Sequence, residues 1–150
     1  MEQARNVLVV DASVAAKWHL TDEQDATVAS RLLVSFLRNQ VVLLAPRQIR
    51  HEVPSSITVA TRSRPPRLSI ADGEAAIAEF LALDLLLTDD SALAVAAYRL
   101  VHQFGIAYYD ALYISLARRR AVPFITADHK LYQRIRHLPD IIWLANWMPS

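Results

Sequence analysis

A chain of 150 residues is long enough for one domain with a sizeable core, and 53% hydrophobic against 21% charged residues is the balance of a soluble globular protein. No uncharged apolar stretch reaches the roughly 18 residues of a membrane span, because Asp84 interrupts the run Phe80 to Leu87. Cysteine is absent, which removes disulfides, thiolate zinc sites and cysteine nucleophiles, and a net charge of +1 does not mark the whole chain as a nucleic-acid binder.

The N-terminus carries Glu2 and Arg5 but no basic region, apolar core or cleavage site. No secretion signal is read there, and the cytoplasm is the expected compartment. In chain order, residues 6–11 read as a buried strand, a β-branched run without period that ends on Asp11. Residues 13–20 follow as a short helix, capped by Asp11 or Ser13. Thr21-Asp22-Glu23-Gln24 has the form of a capping box. The helix it opens turns Val28, Ala29, Leu32, Leu33, Phe36 and Leu37 inward, with Arg31, Ser35 and Arg38 on the other face.

Residues 41–45 are a second strand, ended by Pro46. A helix starting near Pro46 carries Glu52, and Pro54 within it predicts a kink or an interruption. The proline pair in residues 62–68 makes that segment the clearest loop. Ser69 and Asp72 start a helix with Ile70, Ile77, Phe80 and Leu81 inward. Asp89 and Asp90 precede another, with Leu93, Ala97, Leu100 and Val101 on one face and Gly105 at its end.

Tyr109 to Arg120 is apolar almost all round, as in a helix buried against a sheet. Residues 122–126 and 140–144 are the last two strands, with Ala127 to Leu138 helical between them. The alternation predicts an α/β fold, a mostly parallel sheet with helices on both faces, in a single domain over 1–150. Only two glycines occur and no Gly-rich phosphate loop is present, so mononucleotide cofactors are poorly supported.

The strongest chemical signal is four acids. Asp11 and Asp128 end strands, Asp110 heads the apolar helix, and Glu52 follows the second strand. Parallel neighbours share a crevice at their carboxyl ends, where open α/β sheets bind ligands. Carboxylates gathered there repel one another and call for hard divalent cations such as Mg²⁺. Each acid also has a plainer reading: Asp11 and Asp128 as helix caps, Asp110 in a structural ion pair, Glu52 as a surface residue. Ser13 and Thr126, each two residues from an aspartate, either orient a carboxylate or cap the backbone. Arg47, Arg50, Arg62, Arg64 and Arg67 lie in one segment whose only acid is Glu52, and Arg118-Arg119-Arg120 form a second cluster suited to a helix C-terminus.

Val9-Val10-Asp11-Ala12-Ser13, Glu52-Val53, the segment Tyr109-Asp110-Ala111-Leu112-Tyr113-Ile114-Ser115-Leu116-Ala117 and the segment Ile125-Thr126-Ala127-Asp128-His129-Lys130-Leu131 together resemble the PIN domain. Their order and spacing are similar to VapC-type toxins of prokaryotic toxin–antitoxin pairs, over essentially the whole chain. The resemblance implies a PIN-like three-layer α/β/α sandwich and a Mg²⁺- or Mn²⁺-dependent endoribonuclease. Asp11, Glu52, Asp110 and Asp128 would be its acidic quartet, with Thr126 accessory. It further implies an RNA substrate, a small cognate antitoxin and a homodimer.

Where members usually carry a small polar residue, often Asn, after the glutamate, this chain has Pro54-Ser55-Ser56. Glu52 is therefore expected to reach a metal through water rather than as a tight ligand. The arginines of residues 47–67 are expected to hold the RNA backbone, since an acidic pocket repels phosphate. Two other classes remain open at this level. One is a phosphoaspartate receiver or phosphatase, although Ser13 stands where a second acid is needed and Lys130 is the only late lysine. The other is a non-catalytic binding protein on the same fold.

Overall fold

Short runs of Val, Ile and Leu without polar alternation suit strands covered on both faces, and five such runs form one sheet. The computed structural model describes residues 6–150, and Glu2 and Arg5, with the reading of the N-terminus, lie outside the described residues. The strands are β1 (Asn6–Val10), β2 (Val41–Pro46), β3 (Leu86–Thr88), β4 (Phe124–Thr126) and β5 (Ile141–Trp143). They are all parallel, in the order β3-β2-β1-β4-β5. The helices are α1 (Ala12–Ala15), α2 (Ala26–Leu37), α3 (Ile49–Arg62), α4 (Ile70–Leu81), α5 (Ala94–Phe104), α6 (Tyr108–Arg120) and α7 (His129–Ile135). Three-residue and four-residue 3₁₀ turns extend α1 at Ala16–Trp18, precede α5 at Asp90–Leu93, and follow β5 at Leu144–Asn146. The result is the expected three-layer α/β/α sandwich.

From β1 the chain moves outward through β2 to β3, then returns to lay β4 on the other side of β1. Val9 is in register with both Leu44 and Phe124. The strand order therefore reverses between β1 and β4, and the crevice above their carboxyl ends is the place where such sheets take ligands. Below it lies α6, with Ala111 to Ala117 all buried, against β1, β2 and β4 on one side and α5 on the other. A helix enclosed on two sides explains why its sequence is apolar all round.

Several local expectations are corrected. No helix starts at the capping-box sequence: residues 21–25 are turns, and α2 begins at Ala26 behind Asp25, whose φ is 62°. The two residues inside that sequence are held from a distance, since Asp22 accepts from two guanidinium nitrogens of Arg67 at 2.7 and 2.8 Å and Glu23 lies 3.7 Å from the same group. Ser35 is buried while Leu37 is exposed, so the inward stripe of α2 runs through Ala29, Leu32 and Ser35. Pro46 ends β2 rather than starting α3, and α3 runs unbroken through Pro54.

Ser69 caps α4 as predicted, accepting from the Asp72 N–H at 3.0 Å. Its inward residues, however, are Gly73, Ala76 and Phe80, with Ile77 half-buried; Ile70 and Leu81 at its two ends are exposed. Gly73 permits this packing, because a Cβ there would stand 2.8 Å from Thr61 Cγ2 of α3. The strand β3 has no counterpart in the sequence reading. It is three residues long, lies at the sheet edge, and has only one paired side to bury.

Candidate active site

Asp11 directly follows β1 and is almost wholly buried. It stands at the N-cap of α1 yet makes no side-chain capping bond. Instead its Oδ2 accepts from the Ser13 hydroxyl at 2.6 Å and the Thr126 hydroxyl at 2.7 Å. Each hydroxyl also accepts a backbone N–H: Ser13 Oγ from Ala127 at 2.9 Å, and Thr126 Oγ1 from Asp128 at 3.1 Å. These bonds join the ends of β1 and β4 across the switch point, so the two hydroxyls orient the carboxylate rather than cap a helix.

Asp128, by contrast, does cap α7, its Oδ1 accepting from the Leu131 N–H at 3.0 Å. Glu52 lies in the first turn of α3, and its Oε1 accepts from the hydroxyl of the fully buried Tyr113 at 2.9 Å. Asp110, in the first turn of α6, is half-buried, and no ion pair of the described residues includes it. The structural ion-pair reading of Asp110 therefore fails.

All four acids line one cavity of about 810 Å³, together with Asp90, and no lysine or arginine among the described residues lines it. Burial and like charge both favour the protonated form of a carboxyl group. Burial, followed by the charges of Asp11 and Asp128, pushes Asp110 up to about 7. Burial likewise raises Glu52 to about 7, against the lowering effect of the Tyr113 hydroxyl and with further upward pressure from Asp11, Asp110 and Asp90. Asp11 is raised too, chiefly by burial, although the Ser13 and Thr126 hydroxyls favour its charged form.

The acids thus feel one another, but among the described residues no three acidic or histidine side chains converge into a ready-made metal cage. The donor chemistry nonetheless suits a hard divalent cation: oxygen ligands only, excess negative charge and partial burial. Asp11, Glu52, Asp110 and Asp128 would be the residues to hold one.

Three further residues belong to the site. Asp90 Oδ1 accepts from the Gln48 backbone N–H at 3.1 Å, Gln48 Nε2 donates to the Tyr109 carbonyl at 2.8 Å, and Tyr113 anchors Glu52. Gln48 Oε1 is buried in the protein without a partner. Gln48 lies four residues before Glu52 and Tyr113 three after Asp110, spacings that share a helix face and could have revealed both. Asp90 carried no such signal.

The arginines divide. Arg67 pairs with Asp22 and Glu23 and ties its loop to the turn before α2. Arg47, Arg50, Arg62 and Arg64 are exposed, outside the cavity wall, and in no ion pair among the described residues.

Comparison with known proteins agrees with this geometry. The family model for the PIN domain matches residues 8–137. Comparison with curated proteins found no match. Among solved structures, the chain is similar to VapC20 of Mycobacterium tuberculosis, described as a sarcin-ricin loop cleaving toxin, at 17% identity and a TM-score of 0.61, covering 84% of this chain and 93% of that one. It is also similar to a toxin–antitoxin complex from Klebsiella pneumoniae, at 12% identity and a TM-score of 0.59, over 95% of this chain and 98% of the other. VapBC2 from Rickettsia felis, bound to a DNA fragment from its promoter, gives 13% identity and a TM-score of 0.57 over 91% and 96%. At these identities the likeness to the three structures is one of fold, whereas the family match spans 130 of the 150 residues (8–137) and includes all four acids: the chain belongs to the PIN domain family.

Proposed function

We propose that this protein is a divalent-metal-dependent endoribonuclease acting as the toxin of a toxin–antitoxin pair. One observation carries the reading: Asp11, Glu52, Asp110 and Asp128 line one cavity at the switch point, with burial and mutual repulsion holding Glu52 and Asp110 near pKa 7. Membership of the PIN family and the fold shared with VapC20 and two toxin–antitoxin proteins support the choice of RNA and of an antitoxin partner. Mg²⁺ or Mn²⁺ in that cavity would activate water and stabilise charge on the phosphate.

The chain's own residues do the rest. Asp11, Glu52 and Asp128 are each fixed through one oxygen, by Ser13 and Thr126, by Tyr113, and by the Leu131 N–H. The second oxygen of each is left to face a cation or water. Glu52, poised near neutrality, is placed to accept a proton from water at the cavity. It serves through water rather than as a tight metal ligand, and Asp11, Asp110 and Asp128 supply most of the metal affinity. Arg47, Arg50, Arg62, Arg64 and Arg67, outside the acidic wall, guide the RNA backbone.

A phosphoaspartate mechanism needs a lysine beside the acids, and Lys130 is exposed and absent from the cavity wall. The test is cleavage of RNA in Mg²⁺ or Mn²⁺. EDTA and Asp110→Asn should each abolish it, and persistence in the variant after nuclease contamination is excluded would refute the catalytic assignment. Removing Arg62 and Arg64 together should weaken RNA binding and flatten its salt dependence, leaving metal affinity unchanged. An unaltered salt slope would return them to the solvent.

A further inference from the structure

The acidic cavity poses a problem that its carboxylates do not solve. A polyanion must be held there, yet no basic side chain among the described residues lines the wall. What the wall does offer is aromatic surface. Tyr108 is 40% exposed and Tyr109 66%, their rings edge to face at 5.8 Å, immediately before Asp110 in the first turn of α6. Both line the cavity, with the exposed His51 of α3 in the wall as well.

The two tyrosines stand in water although the same helix buries every residue from Ala111 to Ala117. The backbone under the lip is tied down: Gln48, buried at the start of α3, donates to the Tyr109 carbonyl at 2.8 Å. An exposed aromatic surface beside a phosphate-handling site is a stacking platform, because every nucleobase has an apolar face and stacking needs no cation.

Resting on the ribonuclease reading, we propose that Tyr108 and Tyr109 form a stacking lip for a nucleobase adjoining the cleaved phosphate. The protein therefore requires an unpaired nucleotide there. A base within a duplex has its faces covered by its neighbours and cannot reach the lip without unstacking.

The test measures binding, which does not depend on cleavage. Glu52→Gln protein, which keeps most of its metal affinity, is titrated in Mg²⁺ with a short labelled single-stranded RNA, the same strand without its bases, and the same strand in a duplex. The base-bearing single strand should bind about ten-fold or more tightly than the baseless one, from the magnitude of base–aromatic stacking. It should also bind more tightly than the duplex. Adding Tyr108→Ala and Tyr109→Ala should abolish the preference for bases, and Tyr108→Phe with Tyr109→Phe should keep it. A preference that survives both alanines, or is absent to begin with, overturns the lip. If the preference behaves as expected but the unsubstituted protein cleaves no RNA with metal, the ribonuclease reading fails and the base-binding site stands.

Discussion

Glu52 and Asp110 are carboxylates whose pKa values near 7 lie well above their ordinary 4.5 and 3.8. The folded, metal-free protein therefore holds protons that the unfolded chain has released, and stability falls as pH rises between about 4 and 7. Below that window both states are protonated, and above it both are ionised. Asp110→Asn removes its share of this dependence, so in EDTA at pH 8 the variant should melt higher than the parent, with the gap closing towards pH 4. A variant that melts lower at pH 8 would mean that the charge of Asp110 is satisfied by a partner. Tyr113→Phe takes the hydrogen bond from Glu52 Oε1 and should cost about 1–2 kcal/mol in urea unfolding. It should also push the Glu52 pKa further up, seen as an alkaline shift in the acidic limb of the activity profile.

At the scale of elements, the bond between strand ends and the helix that carries Glu52 give separable predictions. Thr126 is fully buried and serves both Asp11 and the Asp128 N–H. Thr126→Val should cost about 1–3 kcal/mol, by leaving the Asp128 N–H unpaired and Asp11 Oδ2 with the Ser13 hydroxyl alone. It should also weaken metal affinity, which calorimetric titration would show. Pro54 interrupts the hydrogen bonding of α3 without breaking the helix. Pro54→Ala should therefore raise stability by about 1–3 kcal/mol. Activity should change little, because the Tyr113 bond sets the pose of Glu52. Lost activity in that variant would return the positioning role to the proline.

Glu52→Gln should reduce cleavage yet keep most of the metal affinity measured without RNA, whereas Asp110→Asn should lose both. Equal loss of metal affinity would make the glutamate a direct ligand. The acids that end strands or head helices were legible because periodicity changes there. The capping-box sequence misled because the two residues between Thr21 and Gln24, Asp22 and Glu23, pair with Arg67, 45 and 44 residues away, which no local pattern encodes. Edge strand β3 escaped for a related reason: pairing with β2 selects it, not its own three residues.

For the molecule as a whole, the parallel α/β architecture was readable from alternating strands and helices, and the family from four short segments. The order β3-β2-β1-β4-β5 was not, although it is this order that sets Asp11 beside Thr126 and Asp128. Residues brought in by tertiary packing, Asp90 above all, were equally hidden. An antitoxin and a second copy of the chain remain the proposed partners, and light scattering with and without a co-expressed antitoxin checks both. The central claim, that the gathered acids make a metal-dependent ribonuclease, is tested most directly by assaying RNA cleavage across a Mn²⁺ titration, with the parent protein and Asp110→Asn side by side. The account predicts cleavage that rises with Mn²⁺, vanishes in EDTA and is absent in the variant at every concentration. Equal cleavage by the two proteins, or cleavage indifferent to EDTA, would contradict it.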